Sequence, residues 1–272
     1  MSPGTGRFVG DDLASLPTPA GHRLLVGTDP VLDGVHLDVA EAGFAAAGRK
    51  AMNRNLSDVA AMGARPVAAT LSIVAPLGLT SADARQIVEA AEAAGAVFDC
   101  PIVGGDYSAW RDKHGKLAVS VAIIAAADIV VPRVGAQAGD GLFVSGPLGG
   151  IIHGRHLTFT PRVALGQRLA GRARVMMDLS DGLGRDLPRL LDGLGAELSL
   201  VPVHADARGS VERAIYDGED YELLVAAEPD IAADFPELIR IGTVTDASGI
   251  VLHTDGHRHR ITPGGWDHGL RD

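Results

Sequence analysis

Short apolar runs alternate along the chain with longer, Ala-rich segments that have helical periodicity. In the first half, the apolar runs at 23–28, 67–75 and 116–127 predict strands, because runs of this length are typical of buried strands. The segments at 41–62 and 80–95 predict helices. This alternation indicates helices packed on a sheet.

The ends of the two predicted helices carry recognisable signals. Gly63 follows the first helix where a glycine commonly terminates one, and Pro66 stands where a helix cannot continue. Thr80 is placed to cap the second helix, with Asp83 three residues later in a variant of the capping box.

The second half repeats the alternation of strands and helices. The predicted strands are GLFVSG, RVMMD, AELSLV, YELLVAA and LIRIGTV. We predict a helix from Pro161, a helix within 182–194 that Pro188 delays or kinks, and a short helix after Pro229. The segment 128–139 is punctuated by Pro and Gly and is a plausible boundary. We therefore predict two domains, 1–128 and 129–272, each of the α/β or α+β class.

The net charge and the cysteine content exclude several classes of function. Lys and Arg number 24 against 34 Asp and Glu, a net charge of −10, which argues against a nucleic-acid partner. Cys100 is the only cysteine of the sequence, so an internal disulfide framework and a Cys-based zinc cluster are excluded. We interpret Cys100 as a buried thiol. No apolar run reaches the ~18 residues of a membrane span, and the first residues lack a signal peptide's apolar stretch. We expect a cytoplasmic protein with no membrane contact.

Candidate chemistry lies in acidic residues that recur beside glycine or serine at predicted element ends. They occur in GDD (10–12), TD (28–29), NLSD (55–58), GGD (104–106), DLSDG (178–182) and DGED (217–220). Carboxylates are natural Mg²⁺ ligands, and adjacent glycines let phosphates approach backbone N–H groups. If these carboxylates converge, they would hold several Mg²⁺ ions around a nucleotide.

Each acidic site has an ordinary alternative. Asp-Gly pairs are common in turns, and Ser180 or Asp181 could serve only as a helix cap. Asp58 and Asp178 stand out, because one interrupts an apolar helix and the other ends an apolar strand, where a carboxylate usually has a partner or a metal. The His-rich stretch TDGHRHR is interpreted as a solvated hairpin turn rather than a metal site.

These residues carry a family resemblance. The motifs concerned are GDD (10–12), TDPVLDGVHL (28–37), NLSDVAAMGARP (55–66), GGD (104–106), PRVGAQAGD (132–140), VSGPLGG (144–150), MMDLSDGL (176–183) and GEDYELLV (218–225). In this order they closely resemble the thiamine-monophosphate kinase family. That family belongs to the superfamily of aminoimidazole ribonucleotide synthetase, selenophosphate synthetase and the hydrogenase-maturation dehydratase.

The resemblance implies a fold and a reaction. It implies an N-terminal α+β domain that binds ATP and Mg²⁺ and has a dimer-forming sheet, followed by a C-terminal α/β domain. It also implies that ATP phosphorylates thiamine monophosphate to thiamine diphosphate by direct in-line transfer assisted by several Mg²⁺ ions, in a homodimer.

The resemblance further implies roles for individual residues. Asp58 and Asp181 are the catalytic candidates. The metal-binding candidates are Asp12, Thr28, Asp29, Asp58, Asp106, Asp178 and Asp181. The nucleotide-binding candidates are Gly105, Asp106, Arg133 and Ser180. The candidates for contact with thiamine monophosphate are His36, Glu219 and Trp266, of which Trp266 could stack on a pyrimidine or a cationic ring.

Some features depart from the family pattern and leave alternatives open. The segment before GDD is short, Gly27 replaces the usual Ser, and a helical stretch after Gly150 is missing. One alternative is another ATP-dependent member of the superfamily that acts on a different phosphorylated substrate. The other is a degenerate, non-catalytic nucleotide-binding protein.

Overall fold

The first half of the chain folds into a sheet covered on one face by helices. The computed structural model describes residues 11–17, 23–267 and 269, so Gly10 of the GDD motif lies outside the described residues. Within this described part, five strands pair in the order β1-β2-β5-β3-β4, with only β3 and β4 parallel. They are β1 (Ala14–Pro17), β2 (Arg23–Leu32), β3 (Arg65–Ala75), β4 (Ile102–Ala109) and β5 (Ala118–Ala127).

The helices of this half are α1 (Val39–Ala42), α2 (Phe44–Ala61) and α3 (Ser81–Ala96). The single helix predicted at 41–62 is divided, because Gly43 has φ +80° and separates α1 from α2. The predicted end is confirmed: Gly63 has φ +66°, and its N–H donates to the Ala60 carbonyl. The predicted Thr80–Asp83 capping box at the start of α3 is also confirmed.

Helix α2 is buried along nearly its whole length and packs against both halves of the chain. On one side, a Cβ atom at Gly48 would lie 2.0 Å from the Ile87 carbonyl oxygen of α3. On another side, a Cβ atom at Gly166 would lie 2.1 Å from the Ala60 carbonyl oxygen. Glycine at these two contacts therefore permits a close helix approach that fixes the position of Asp58 on α2.

The second half contains a mixed sheet and three helices. Among the described residues its seven strands pair in the order β12-β11-β8-β10-β6-β9-β7, and only β8 and β11 are parallel. The strands are β6 (Gly141–Val144), β7 (Val175–Asp178), β8 (Gly195–Leu198), β9 (Leu223–Ala227), β10 (Ile239–Thr245), β11 (Gly249–Thr254) and β12 (His257–Ile261). The helices are α4 (Val163–Leu169), α5 (Leu183–Leu191) and α6 (Val211–Tyr216).

Helix α5 runs through Pro188 instead of being delayed by it. Proline has no N–H to donate to the carbonyl four residues earlier, which belongs to Gly184. The Gly184 carbonyl instead accepts a hydrogen bond of 3.1 Å from the N–H of Gly264. The C-terminal segment thus replaces the bond that the proline removes.

The two sheets lie on either side of the predicted boundary, since β5 ends at Ala127 and β6 begins at Gly141. The apolar core is nevertheless shared. Phe143 and Met176 of the second sheet belong to the same buried cluster as the helices of the first half, and Leu142 and Met177 face a second cluster under α5. The division into domains 1–128 and 129–272 therefore stays a prediction.

Two smaller predictions have clear outcomes. Cys100 is fully buried, and burial raises the pKa of its thiol to about 11, as expected of an unreactive cysteine. The His-rich stretch forms the exposed hairpin β11–β12, with Asp255 and Gly256 in the turn.

In the part of the chain that the structure describes, we find no helix with the length and apolar character needed to cross a membrane.

Candidate active site

Three predicted metal ligands converge between the two halves. Asp12 precedes β1, Asp58 lies on α2 and Asp178 ends β7. One carboxylate oxygen from each residue lies within 4.8 Å of the others, which makes them a group that could hold a metal ion among the described residues. Residues separated by more than a hundred positions in sequence thus meet at one point.

The partners of these carboxylates leave oxygen atoms available in the cluster. Ser57 Oγ donates to Asp178 Oδ2 at 2.6 Å, and Arg133 Nη2 donates to Asp12 Oδ1 at 2.5 Å. Asp12 Oδ2 is buried and has no hydrogen-bond partner within the described ranges 11–17, 23–267 and 269. A buried carboxylate oxygen of this kind is destabilising unless a cation or donor meets it.

Asp29 lies beside the cluster on the helix-facing side of β2. Its carboxylate accepts a hydrogen bond of 2.8 Å from Arg54 Nη2, and its backbone N–H donates to Asn55 Oδ1 at 3.0 Å. Both partners come from α2, one turn before Asp58. The NLSD motif therefore orients β2 as well as supplying Asp58 to the carboxylate cluster.

The cluster disfavours ionisation of its own members. Burial first, and then the charges of Asp178, Asp29 and Asp12, raise the pKa of Asp58 well above its usual value. Burial and the charge of Asp12 raise the pKa of Asp178 to about 8, although Ser57 opposes the shift. Burial also raises the pKa of Asp12, against the influence of Arg133.

We expect the metal-free protein to lose stability as pH rises from about 5.5 to about 8. The folded state keeps a proton on Asp178 that the unfolded chain, with a carboxyl pKa near 3.8, has already released. The free energy of unfolding therefore falls with rising pH across this interval. Thermal unfolding followed by circular dichroism would show a declining midpoint.

The control for this pH dependence is Asp178→Asn, which removes one titrating group and should make the slope shallower without abolishing it, because the pKa values of Asp58 and Asp12 are raised as well. Mg²⁺ should flatten it as well if the ion binds the ionised carboxylates. A midpoint that rises between about pH 5.5 and about 8 in the metal-free protein would contradict the assignment.

A cavity of about 420 Å³ is lined by Arg54, which pairs with Asp29. The three residues predicted to contact the substrate, His36, Glu219 and Trp266, all line it, together with Ser180 and Asp181. Its walls come from the segment after β2, the 3₁₀ turn at Ile151–His153, the loop after β7, the loop before β9 and the C-terminal segment.

The loop that carries Glu219 has an unusual backbone. Glu219 has φ +69° and Tyr221 has φ +52°, a region that residues other than glycine rarely occupy. Backbone bonds hold it there, since Glu219 N–H donates to the Ser180 carbonyl and Tyr221 N–H to the Leu179 carbonyl. Such locally strained residues are often found in binding sites.

Asp181 and Ser180 lie in the turn between β7 and α5. Asp181 Oδ2 accepts a hydrogen bond of 2.7 Å from Arg189 Nη1, and the Asp181 backbone N–H donates to Asp186 Oδ2 at 2.9 Å. The Asp181 carbonyl accepts from the N–H of Trp266 at 3.0 Å. This turn therefore joins the carboxylate cluster to the cavity wall.

Thr28, Gly105 and Asp106 lie away from the cluster within one chain. Thr28 Oγ1 donates to the Val121 carbonyl on the sheet face that carries no helices, and Asp106 pairs with the exposed Ser72 on that same face. We call this surface the outer face. At Gly105, a Cβ atom would lie 1.9 Å from the Leu71 carbonyl, so close β3–β4 pairing alone requires a glycine there.

The sequence did not identify Lys50, Arg54, His156 or Tyr221 as site residues. Arg54, His156 and Tyr221 line the cavity, and Lys50 reaches Glu219 from behind the wall. For Lys50 the sequence did contain a signal, because it is a single lysine in an Ala-rich segment expected to be buried, and a buried lysine needs an anionic partner.

The N-terminal half of the chain, which carries the five-stranded sheet together with Asp12 and Asp58, is similar to AIR-synthase-related proteins. The profile described as "AIR synthase related protein, N-terminal domain" matches residues 10–127. A thiamine-monophosphate kinase of Rhodopirellula baltica is 34% identical over 97% of this chain and 92% of its own length. The thiamine-monophosphate kinase of Aquifex aeolicus is 29% identical, over 96% of this chain and 93% of its own length.

Solved structures agree with these relatives. The structure of AaThiL complexed with AMPPCP and TMP has a TM-score of 0.87 and 28% identity, and the match covers 97% of this chain and 92% of that chain. The hydrogenase maturation protein HypE of E. coli, at 22% identity and a TM-score of 0.74, shows the fold alone. The chain belongs to the thiamine-monophosphate kinase family, and the protein is a kinase.

Proposed function

We propose that this protein transfers the terminal phosphoryl group of ATP to thiamine monophosphate, which yields thiamine diphosphate. One observation carries the proposal: the residues expected to contact thiamine monophosphate line one cavity, and Arg54, the partner of Asp29, lines the same cavity together with Ser180 and Asp181. The names of the curated relatives and the TMP complex of AaThiL support the same substrate.

The carboxylate cluster fits a divalent cation. Its oxygen atoms lie close together, one of them is buried without a partner among the described residues, and hard carboxylate oxygens suit Mg²⁺. Asp12, Asp58 and Asp178 would hold the ion, with Asp29 and Asp181 at the edges. When bound, Mg²⁺ neutralises the charge of phosphate groups that would otherwise repel each other.

No general base is required at the acceptor. The second phosphate pKa is about 6, so the attacking oxygen of thiamine monophosphate is already ionised near neutral pH. The protein contributes mainly by aligning the phosphate of thiamine monophosphate with the terminal phosphoryl group of ATP. His36, Glu219 and Trp266 hold the thiamine end in the cavity, where the half-exposed Trp266 ring offers a face to a cationic thiazolium.

We propose that Arg133 and Ser180 contact the nucleotide from the cluster side, and that Gly105 and Asp106 contact it from the edge strand β4. Arg133 supports this role because its guanidinium already lies at Asp12 and its Nε is buried without a partner among the residues described. A phosphate oxygen is the natural acceptor for such a group.

We propose that the protein is a homodimer formed through the outer face. This face carries apolar side chains that no helix of the described chain covers, among them Val26, Ile124 and Val74. Thr28 and Asp106 lie on the same face. In such a dimer, both residues would lie at the surface shared by the two copies, which accounts for their distance from the cluster.

Ile124→Lys is expected to prevent this dimer. The side chain lies at the centre of the outer face, between Val26 and Ala68, so a buried lysine there would lack an anionic partner. Light scattering coupled to size exclusion should give twice the chain mass for the wild type and the single chain mass for the variant. Arg85→Glu, on the exposed side of α3, is the control and should remain dimeric. A wild-type protein that is monomeric at micromolar concentration would refute the proposal.

A coupled assay of ADP release with thiamine monophosphate and related monophosphates, at several Mg²⁺ concentrations, tests the reaction. We expect ADP and thiamine diphosphate to form in equal amounts. A different preferred monophosphate would support another member of the superfamily. Calorimetric binding of ATP without binding of thiamine monophosphate, and without turnover, would support a degenerate nucleotide-binding protein.

A further inference from the structure

Lys50 is a fully buried lysine whose position no part of the phosphoryl transfer explains. It lies on α2, and its side chain has no exposed area. Its ammonium nitrogen lies 2.5 Å from the His36 carbonyl oxygen, 2.8 Å from Glu219 Oε2 and 2.7 Å from His156 Nδ1. Burying a lysine is costly unless it is paired, so three such contacts indicate a specific role.

The three partners come from distant segments of the chain. His36 follows β2 in the first half, whereas His156 lies in the 3₁₀ turn Arg155–Leu157 and Glu219 in the loop before β9, both in the second half. His36, His156 and Glu219 all line the 420 Å³ cavity. Lys50 therefore joins cavity-lining segments from both halves of the chain.

The ion pair also fixes the chemical state of Glu219. Burial opposes its ionisation, but hydrogen bonding to His156 and the charge of Lys50 outweigh burial and lower the Glu219 pKa to about 2. Its other oxygen, Oε1, lies 3.3 Å from the hydroxyl of Tyr221. The cavity thus presents an ionised, oriented carboxylate that can accept hydrogen bonds from a substrate or face a cationic ring.

We propose that Lys50 is a positioning residue that determines affinity for the phosphate acceptor by holding Glu219 and the His36 segment together in the wall of the cavity. The inference rests on the proposed function, because it assumes that the cavity binds thiamine monophosphate. Lys50 has no contact with the carboxylate cluster in the structure, so its influence is confined to the acceptor side.

The direct test is Lys50→Met, which keeps the length and apolar stem of the side chain and removes the charge. We expect the KM for thiamine monophosphate to rise about tenfold or more, while the KM for ATP stays within about twofold. Lys50→Arg, which keeps the charge, should recover part of the affinity. Lys113→Met, in an exposed loop, is the matched control and should change neither constant.

A double-mutant cycle separates positioning from a general loss of structure. Glu219→Gln removes the partner charge, so adding Lys50→Met to Glu219→Gln should raise the KM far less than Lys50→Met does alone. Loss of folding would lower the active fraction and hence kcat, without a selective change in KM. If Lys50→Met does not fold, the double variant, which carries no unpaired charge, supplies the comparison with Glu219→Gln.

The outcomes are distinguishable from failure of the proposed function. A wild-type protein that does not use thiamine monophosphate overturns the function itself. A wild type that uses it, with an unchanged KM in Lys50→Met or additive effects in the cycle, overturns only the role of Lys50. A parallel rise in the KM for ATP would overturn it as well, because the effect would then reach beyond the acceptor cavity.

Discussion

Asp58→Asn is expected to lower turnover by about 10²–10³-fold, the usual cost of removing one group that stabilises transition-state charge. The metal-free variant should unfold at the same temperature as the wild type or higher. Asp58 is crowded by Asp12, Asp29 and Asp178, and the asparagine amide has nearly the same shape without the charge. Function and stability should therefore change in opposite directions.

The measurement combines kcat with thermal unfolding at zero and saturating Mg²⁺. The wild type should gain stability from Mg²⁺ with ATP, and Asp58→Asn should lose most of this gain. Glu89→Gln, an isosteric change on the exposed side of α3, controls for the removal of one negative charge. Wild-type turnover of Asp58→Asn at limiting Mg²⁺ would show that the carboxylate does not have this role.

The elements with strong periodic signals were predictable from the sequence. The core strands β3 and β5 each bury one face and α3 buries one stripe, whereas α2 is buried along nearly its whole length, and the apolar patterns show this. The capping box at the start of α3 was predicted correctly because it is a local interaction. Thr80 and Asp83 each hydrogen-bond the other's backbone regardless of the tertiary fold. The break at Gly43 was missed because Ala-rich helical periodicity continues across it.

The edge strands were not predictable in the same way. β4 is almost wholly exposed in the described chain, and it begins Ile-Val-Gly-Gly-Asp, a sequence typical of a loop. β1 and β12 are edge strands too, and β12 is His-Arg-His-Arg-Ile. β1, β4 and β12 bury little surface, so they carry no apolar pattern, whereas the edge strand β7 is fully buried and its apolar run was predicted.

The candidate site was predictable to the extent that its chemistry is local. Carboxylates beside glycines indicated metal and phosphate chemistry, and Asp12, Asp58 and Asp178 do converge. The predicted strand ended at Thr28, so the sequence did not indicate that Asp29 continues the strand on the opposite side of the sheet, nor that Asp106 lies on the outer face. These facts depend on strand register, which sequence motifs do not encode.

Asp181→Asn is expected to lower turnover by about 10²-fold and to raise the Mg²⁺ concentration needed for half-maximal rate. Asp181 is the predicted ligand that also lines the cavity, so its charge lies between the cluster and the acceptor. The substitution should leave the fold intact, because Trp266 is held by the Asp181 backbone carbonyl and the asparagine oxygen can still accept from Arg189.

Asp186→Asn is the matched control for this prediction. Asp186 also contacts Arg189 and accepts from the Asp181 N–H, but it lies behind the turn and does not line the cavity. Burial raises its pKa to about 7, so a neutral amide resembles a form it already adopts near neutral pH. Its turnover should stay within about tenfold of the wild type. If Asp186→Asn were as inactive as Asp181→Asn, the shape of the turn, and not the Asp181 charge, would control transfer.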